Sequence, residues 1–367
     1  MKIVCSKKDL MKSINIALRS VPSHTTMPIL ECIMINADNG RIRFTTNDTE
    51  LGIETVVPGL IEEIGSVAIN AKLFSDLIRK LTDEEVTITV DENMGVNITC
   101  GNSNQQLGGM SGSDFTYLPS VEREECITIS QFTLKELIRQ TIFSIAPNDN
   151  NKIMTGELFK VKGDSLQVVS LDGHRISLRN TELKENYSEK SVIVPGKSLM
   201  EISKILSDES DSTVNIFLAE NHIVFELEDT TIVSRLIYGE YFKIEGMLSN
   251  DYETKIRVNR RNLLSSIDRS TLYIKENDKK PIILNVKDGF VELSIESTLG
   301  SMKEEIDADK EGKDIMIGFN PKFLIDALKV IDEEEVNIYL VNPKAPCFIR
   351  DDNGNYIYII LPVNFVK

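Results

Sequence analysis

Residues 72–79 read KLFSDLIR, and the same order of a lysine, an acid and a base at i, i+4 and i+7 returns as KSLMEISK at 197–204 and KFLIDALK at 322–329. The three lysines, Lys72, Lys197 and Lys322, are separated by 125 residues each time. Spacings of three and four residues keep side chains on one face of a helix. A constant period of this kind predicts that the chain is built from three structurally related repeats.

Strand-like and helix-like patterns accompany each copy at matching distances. Short apolar segments that resemble strands precede the three helices at 67–69, 192–194 and 315–317. Similar segments follow the helices at 86–88, 214–216 and 336–338. A second helix in each repeat is predicted from an apolar stripe, namely Leu10, Ile14 and Ala17, then Leu134, Ile138 and Thr141, then Leu263, Ile267 and Ser270. Alternating strands follow at 42–45, 166–169 and 291–294.

These patterns predict an α+β fold of three repeated domains, each with two helices packed on antiparallel sheet. The predicted boundaries are 1–122, 127–247 and 253–367. The register also holds inside the domains, because Phe44, Val168 and Leu293 lie 124 and then 125 residues apart. Asp172-Gly173 and Asn353-Gly354 predict two-residue hairpin turns between antiparallel strands.

The order of lysine, acid and base has two interpretations. In a single copy it is best explained as an exposed helix face with favourable charge pairs. Three copies in one register favour a shared functional face. The first helix adds a polar stripe, opposite its apolar one, of Lys8, Lys12, Asn15 and Arg19.

The distribution of charge is more informative than its total. The chain has a net charge of −16, but its six helical windows together carry +11, which leaves −27 on the remaining residues. Helices that share a surface would attract a phosphate backbone, while the acidic remainder repels non-specific contact. Phosphate contacts carry no base information, so such a surface would bind nucleic acid without sequence preference.

Signatures of catalysis, metal binding and membrane insertion are not found in the sequence. The five cysteines are far apart and the three histidines, His24, His174 and His222, have no metal-ligand spacing. Gly196-Lys197-Ser198 resembles the end of a phosphate-binding loop, but Ser191 stands where that motif needs glycine. No signal peptide or membrane helix is evident. We therefore expect a cytoplasmic protein without catalytic residues, metal or cofactor.

Several segments, in their order and spacing, resemble the bacterial DNA polymerase III beta subunits, which are DNA sliding clamps. They are Met27–Leu30, Leu171–Ile176, Ile193–Lys197, Ser234–Tyr241 and Gly318–Asn320, and the similarity runs from Met1 to Leu361-Pro362-Val363. The resemblance implies a head-to-tail homodimer that closes into a ring around duplex DNA, with the helices lining the channel. It also implies that the ring slides and tethers replication enzymes as a processivity factor.

The resemblance assigns three sets of residues. The DNA-binding set is His24, Lys72, Arg79, Lys152, Lys197, Lys204 and Lys322. The partner peptide pocket is Met154, Leu171, Gly173, His174, Arg175, Ile176, Phe242, Met247, Asn320, Phe323, Ile359, Ile360, Leu361, Pro362 and Val363. The dimer interface is Leu107, Leu272, Tyr273, Glu304 and Glu305. Asn102, Asn104 and Gln105 stand at the interface where well-known relatives have charged or aromatic groups.

The implied partners are double-stranded DNA, a second copy of the chain, the DNA polymerase III alpha subunit, the clamp loader, and other polymerases and repair proteins, with no membrane. The proteins among these, apart from the second copy, would bind through short linear motifs. Two alternatives remain at this stage. One is a nucleotide-handling enzyme in which Asp172 and His174 act as acid and base, and the other is a repeat scaffold that binds proteins but not DNA.

Overall fold

The computed structural model describes residues 1–82, 84–148, 150–275 and 280–365. Within them the α-helices are α1 (Lys7–Ala17), α2 (Ala71–Lys80), α3 (Gln131–Arg139), α4 (Gly196–Ser203), α5 (Arg260–Ser270) and α6 (Pro321–Val330). The strands are β1 (Lys2–Ser6), β2 (Cys32–Asp38), β3 (Arg41–Asn47), β4 (Leu51–Val57), β5 (Leu60–Glu63), β6 (Gly65–Asn70), β7 (Glu85–Val90), β8 (Gly95–Cys100), β9 (Ser103–Gly108), β10 (Cys126–Ser130), β11 (Gly156–Leu171), β12 (Arg175–Pro195), β13 (Thr213–Leu218), β14 (His222–Glu226), β15 (Thr230–Arg235), β16 (Thr254–Asn259), β17 (Ile282–Lys287), β18 (Phe290–Ser297), β19 (Gly300–Gly312), β20 (Ile315–Phe319), β21 (Glu335–Leu340), β22 (Cys347–Arg350) and β23 (Tyr356–Ile360).

One compact unit comprises Met1–Lys135 and Lys197–Leu236. It contains a five-stranded sheet in the order β5-β1-β7-β8-β9 and an eight-stranded sheet in the order β10-β13-β14-β15-β4-β3-β2-β6. The largest core of this unit includes Leu10, Ile14, Phe44 and Phe74, so it joins α1 and α2 to the strands. The rings of Phe44 and Phe74 meet edge to face with centroids 6.1 Å apart.

The other compact unit comprises Glu136–Gly196 and Ile237–Lys367. Its ten strands follow the order β11-β12-β23-β22-β21-β16-β19-β18-β17-β20. One core cluster joins α5 and α6 to the sheet and includes Leu263, Ile267, Leu293 and Leu324. A second cluster is centred on Leu171, Ile176 and Ile359. All the strand pairs in both units are antiparallel, as in the predicted α+β class.

The repeat predicted from the sequence is confirmed element by element. All six predicted helices form, and the strands β3, β11 and β18 place Phe44, Val168 and Leu293 in the interior with no exposed surface. The nine residues of the three predicted apolar stripes are also buried. Burial of these stripes removes apolar surface from water, and each Å² of buried apolar surface stabilises the fold by about 25 cal/mol. This stabilisation explains why the stripes recur in each repeat.

Short polar residues start the helices at the ends of strands. The side chains of Ser6, Asn70, Asn259 and Asn320 each accept a hydrogen bond from a backbone N–H in the first turn of α1, α2, α5 and α6. Gly196 begins α4, and a Cβ there would lie 2.2 Å from Cδ1 of Ile145. The glycine before Lys197 therefore packs closely against Ile145 and the Thr155 backbone, which is a structural role at this position.

Four local predictions differ from the structure. Thr141 lies after the end of α3, and Lys204 lies one residue after the end of α4. At Asn353-Gly354 the connection from β22 to β23 has five residues instead of two, and the Asp351 side chain accepts the N–H of Tyr356 across it at 3.2 Å.

At the other predicted hairpin, Asp172 N–H donates to the Arg175 carbonyl at 3.3 Å, so the central turn residues are Gly173 and His174. Gly173 adopts φ +82°, which favours glycine.

Candidate DNA-binding helices and partner pocket

The predicted basic stripes lie on the exposed faces of their helices. Lys8, Lys12, Asn15 and Arg19 are exposed opposite the buried stripe of α1. Lys72, Lys197 and Lys322 are exposed at equivalent positions of α2, α4 and α6. Amphipathic helices of this kind present their cations to solvent or to a ligand.

The acids of the repeated stripes pair with bases other than the first lysine. Asp76 lies 3.8 Å from Arg79, and Glu201 lies 2.6 Å from Lys204. Glu201 is also 3.6 Å from Arg19, which brings the end of the α1 region next to α4. The two stripes therefore meet on one surface. His24 and Lys152 are exposed in loop and 3₁₀ segments outside the α-helices.

The predicted partner pocket is centred on an apolar cluster at the junction of β12 and β23. Leu171, Ile176 and Ile359 are buried there, and Met154 and Phe242 pack against them. β12 pairs with β23 so that Ile176 lies opposite Ile359. Residues far apart in the sequence thus form one apolar surface, the usual lining of a peptide groove.

The edge of this pocket is formed by α6 and the C-terminal segment. The ring of His174 stacks on Phe323 with centroids 6.0 Å apart, and Leu361 N–H donates to the His174 carbonyl at 2.9 Å. Met247 and Leu361 keep 53% and 40% of their surface exposed. Such exposed apolar side chains beside a buried cluster are available for a ligand.

Three predicted pocket residues have a structural role as well. Asn320 caps α6, because its side chain accepts the N–H of Lys322 at 3.0 Å. Val363 N–H donates to the Gly318 carbonyl at 2.8 Å. The Ile360 side chain lies in the core cluster around α5 and α6, on the opposite face of β23 from Ile359. Ile360 therefore contributes its side chain to the core on that face, since strand residues alternate between faces.

The alternative in which Asp172 and His174 act as acid and base is not favoured by the geometry. Asp172 accepts the backbone N–H groups of His174 and Arg175 at 3.0 and 3.1 Å, and Arg175 Nε donates to it at 3.0 Å. The carboxylate is thus occupied as the internal acceptor of a hairpin turn.

A buried glutamate behind the pocket was not predicted. Glu157 has no exposed surface, and neither of its carboxyl oxygens has a hydrogen-bond partner among the described residues. Burial raises the pKa of the Glu157 carboxyl group well above the usual range. Burial raises the pKa of Tyr241, and the charge of Glu157 raises it further; the Tyr241 hydroxyl donates to the Val169 carbonyl at 3.2 Å.

We expect Glu157→Gln to stabilise the protein increasingly as the pH rises. A raised folded-state pKa means that the native chain holds a proton that the unfolded chain releases above the ordinary glutamate pKa. The stability of the wild-type chain should therefore fall between that value and the folded pKa, by at most about 1.4 kcal/mol for each pH unit. Urea unfolding at pH 5 and pH 8 measures this difference. The exposed Glu185→Gln is the control, and parallel pH profiles for wild type and Glu157→Gln would contradict the prediction.

The residues predicted for the dimer interface lie on the surfaces of their own units. Leu272 is 76% exposed, while Leu107 and Tyr273 are half-buried. Glu304 accepts from Arg269 at 2.6 Å and from Ser266 at 2.6 Å, and these hydrogen bonds lower its pKa to about 2. Glu305 is exposed. Glu304 therefore has its cationic partner within the same chain.

In the described parts of the chain, no group of three or more histidine, cysteine or acidic residues could hold a metal ion. None of the described helices is long and apolar enough to cross a membrane. Cys5, Cys32, Cys100 and Cys347 are buried, and burial raises the pKa of Cys5 to about 12 and that of Cys32 to about 11.

Family models match nearly all of the chain in three consecutive parts. The N-terminal, central and C-terminal domains of the DNA polymerase III beta subunit match residues 1–119, 128–243 and 246–364. The beta sliding clamp of Staphylococcus epidermidis is 32% identical over 374 residues, which cover 99% of each chain.

Solved structures agree with these matches. A putative DNA polymerase III beta subunit from Eubacterium rectale has a TM-score of 0.97 and 61% identity, with full coverage of both chains. The DNA polymerase sliding clamp of Bacillus subtilis has a TM-score of 0.97 and 33% identity, also with full coverage. A threefold α+β repeat with basic helix faces and these relatives defines a DNA sliding clamp, a processivity factor of replication. The chain belongs to the DNA polymerase III beta subunit family.

Proposed function

We propose that two copies of this chain join head to tail into a non-catalytic ring that encircles duplex DNA. The observation that carries this proposal is the pair of strand edges left open by the repeat. The last strand of the second repeat, β15, pairs with β4 of the first, and the last strand of the third, β23, pairs with β12 of the second. The equivalent last strand of the first repeat is β9, and the equivalent receiving strand of the third is β19.

Both of these strands have one unpaired edge within the described residues. β9 pairs with β8 alone, and residues 300–307 of β19 pair with β18 alone. An open edge carries free N–H and C=O groups that accept another strand. When two copies join, β9 of each can pair with β19 of the other, which forms two such junctions. Head-to-tail contacts that close on themselves in this way form a ring.

The two junctions inside the chain also predict the register of the third. Ile232 lies opposite Ile53, and Tyr358 lies opposite Ser177. By the pairing of their neighbouring strands, Ile232 and Tyr358 correspond to Gln105, and Ile53 and Ser177 correspond to Met302. Gln105 of one copy is therefore placed opposite Met302 of the other.

This register gives the apolar interface residues a common location. Two residues further along the antiparallel pair, Leu107 lies opposite Gly300. A Cβ at Gly300 would be 3.3 Å from the ring of Tyr273. Leu107 of one copy would thus meet Tyr273 and the exposed Leu272 of the other, and burial of each large apolar side chain contributes about 1.5–3 kcal/mol.

The exposed lysines of α2, α4 and α6 would contact the phosphate backbone in this ring, together with His24, Lys152, Arg79 and Lys204. An encircling protein is held topologically, so it needs only weak attraction to DNA. The acidic remainder of the chain limits tight contacts, which would slow sliding. We place the domain boundaries at 1–122, 127–247 and 253–367 and the ring in the cytoplasm.

The partner pocket would tether the DNA polymerase III alpha subunit, the clamp loader, other polymerases and repair proteins. Its apolar cluster with few polar groups suits a short linear motif shared by several ligands. Half-exposed Met154 and exposed Met247 can adapt their side chains to different motifs. Catalysis would reside in the tethered enzymes.

Removal of Pro362 and all later residues is expected to abolish binding of a peptide from the clamp-binding segment of the DNA polymerase III alpha subunit. The deletion removes Val363, which fixes the C-terminal segment to Gly318, and with it one wall of the pocket. Calorimetric titration measures the loss. Light scattering should show an unchanged assembly, because the truncated segment lies outside β9 and β19. The control is Leu60→Ser, which removes an exposed leucine from β5. Retained affinity in the truncated protein would count against the pocket.

A further inference from the structure

Within two turns, helix α6 carries two exposed lysines and two side chains that are only partly exposed. Lys322 and Lys329 are exposed, whereas Phe323 is half-buried and the Asp326 side chain is 23% exposed. In the first repeat the equivalent acid, Asp76, is 51% exposed and lies 3.8 Å from Arg79 on its own helix. The acid of the third repeat has a different partner, Arg175, which lies 151 residues away in the hairpin turn.

Arg175 is held by a hydrogen bond within the chain from each nitrogen of its guanidinium group. Its side chain is 7% exposed. Nη1 donates to Asp326 at 2.7 Å, Nε donates to Asp172 at 3.0 Å, and Nη2 donates to the Phe143 carbonyl. Because each guanidinium nitrogen donates to an acceptor within the chain, Arg175 joins the hairpin turn to α6.

The ring of Phe323 lies where these elements meet. The guanidinium carbon of Arg175 is 4.6 Å from the Phe323 ring centroid, and the His174 ring stacks on the same side chain. The C-terminal segment is attached to this point through the hydrogen bond from Leu361 to His174. The orientation of the turn, of Phe323 and of Leu361 therefore depends on one buried cation and its two carboxylates.

We infer that Asp326 is a positioning residue of the partner pocket, although it contacts the ligand site only through Arg175. This inference rests on the proposed tethering function. Loss of the Asp326 charge leaves the buried Arg175 guanidinium with one carboxylate instead of two. This loss destabilises the native arrangement, because the cation can reach water only by breaking its contacts with the hairpin turn and α6. The Phe323 ring and the His174 turn would then lose their fixed geometry, and the pocket would bind less tightly.

The first test is calorimetric titration of the full-length protein with the same alpha-subunit peptide. Asp326→Asn keeps the shape of the side chain and is expected to weaken the peptide affinity about tenfold. Asp326→Glu restores the charge and should recover most of that loss. Asp76→Asn is the matched control, since it makes the same chemical change at the equivalent position of α2 and should leave peptide affinity unchanged.

The second test observes the pocket without any peptide. The chain has three histidines, so the ring signals of His174 can be assigned with a His174→Gln variant in the spectrum of histidine-labelled protein. Asp326→Asn should shift the His174 signals as the stacking on Phe323 changes, while His24 and His222 stay in place. Unchanged His174 signals and unchanged affinity of Asp326→Asn, beside a normal wild-type titration, overturn the inference alone. Failure of the wild-type protein to bind the peptide overturns the tethering function and this role of Asp326 together.

Discussion

A variant in which Lys72, Lys197 and Lys322 are all replaced by glutamine is expected to bind duplex DNA less tightly, with a weaker dependence on salt concentration. These lysines are exposed at equivalent positions of the three repeats, and the acids of their stripes pair with other bases. A closed ring of two chains would lose six cationic contacts. Each phosphate contact contributes about 0.9 to the slope of the logarithm of affinity against the logarithm of salt concentration, so the slope should fall by about 5.

The measurement is the fraction of protein bound to a short linear duplex over a series of salt concentrations. A second arm uses a nicked plasmid, which should keep the rings closed around it whatever their lysines, because that retention is topological. The matched control replaces Lys184, Lys287 and Lys344, which are exposed outside the helices, and so changes the net charge equally. If the helix variant and the control bound the linear duplex alike, with the same salt dependence, the helices would not face DNA.

The repeat could be predicted from the sequence because its signals are local. Helix stripes and strand alternation depend on residues within one or two turns or pleats, and Phe44, Val168 and Leu293 hold the same buried position in each copy. The turn at Asn353-Gly354 was mispredicted because the Asp351 side chain caps the backbone of Tyr356 and lengthens the connection. A dipeptide signal does not contain that information.

The chemistry of the pocket was predictable only in part. The apolar members were identified through a family resemblance, and the structure brings Met154, Leu171, Ile176 and Ile359 together. The pairing of Arg175 with Asp326 spans 151 residues and depends on how α6 packs beside the hairpin, so no spacing rule reveals it. The burial of Glu157 was not predicted, because a glutamate in a strand is ordinarily expected to face solvent.

Leu272→Lys is expected to convert the ring into single chains. In the proposed register Leu272 meets Leu107 of the other copy, and the ring contains this contact twice, so the substitution buries two ammonium groups without partners. The loss of apolar burial alone is about 1.5–3 kcal/mol at each contact. Light scattering at micromolar concentration should give the 41.3 kDa mass of one chain instead of twice that mass. Leu60→Lys, at the other edge of the same sheet as β9, should remain dimeric.

The same variant separates the functions of the two surfaces. All the residues of the partner pocket belong to one compact unit of one chain, so the Leu272→Lys protein should bind the alpha-subunit peptide as tightly as the wild type. It should nevertheless be lost from circular DNA, because an open chain is held only by its weak phosphate contacts. A monomer that stays on circular DNA would show that retention arises from affinity and not from topology. A variant that remains dimeric would show that the seam does not depend on Leu272 and that the register drawn from the repeat is wrong.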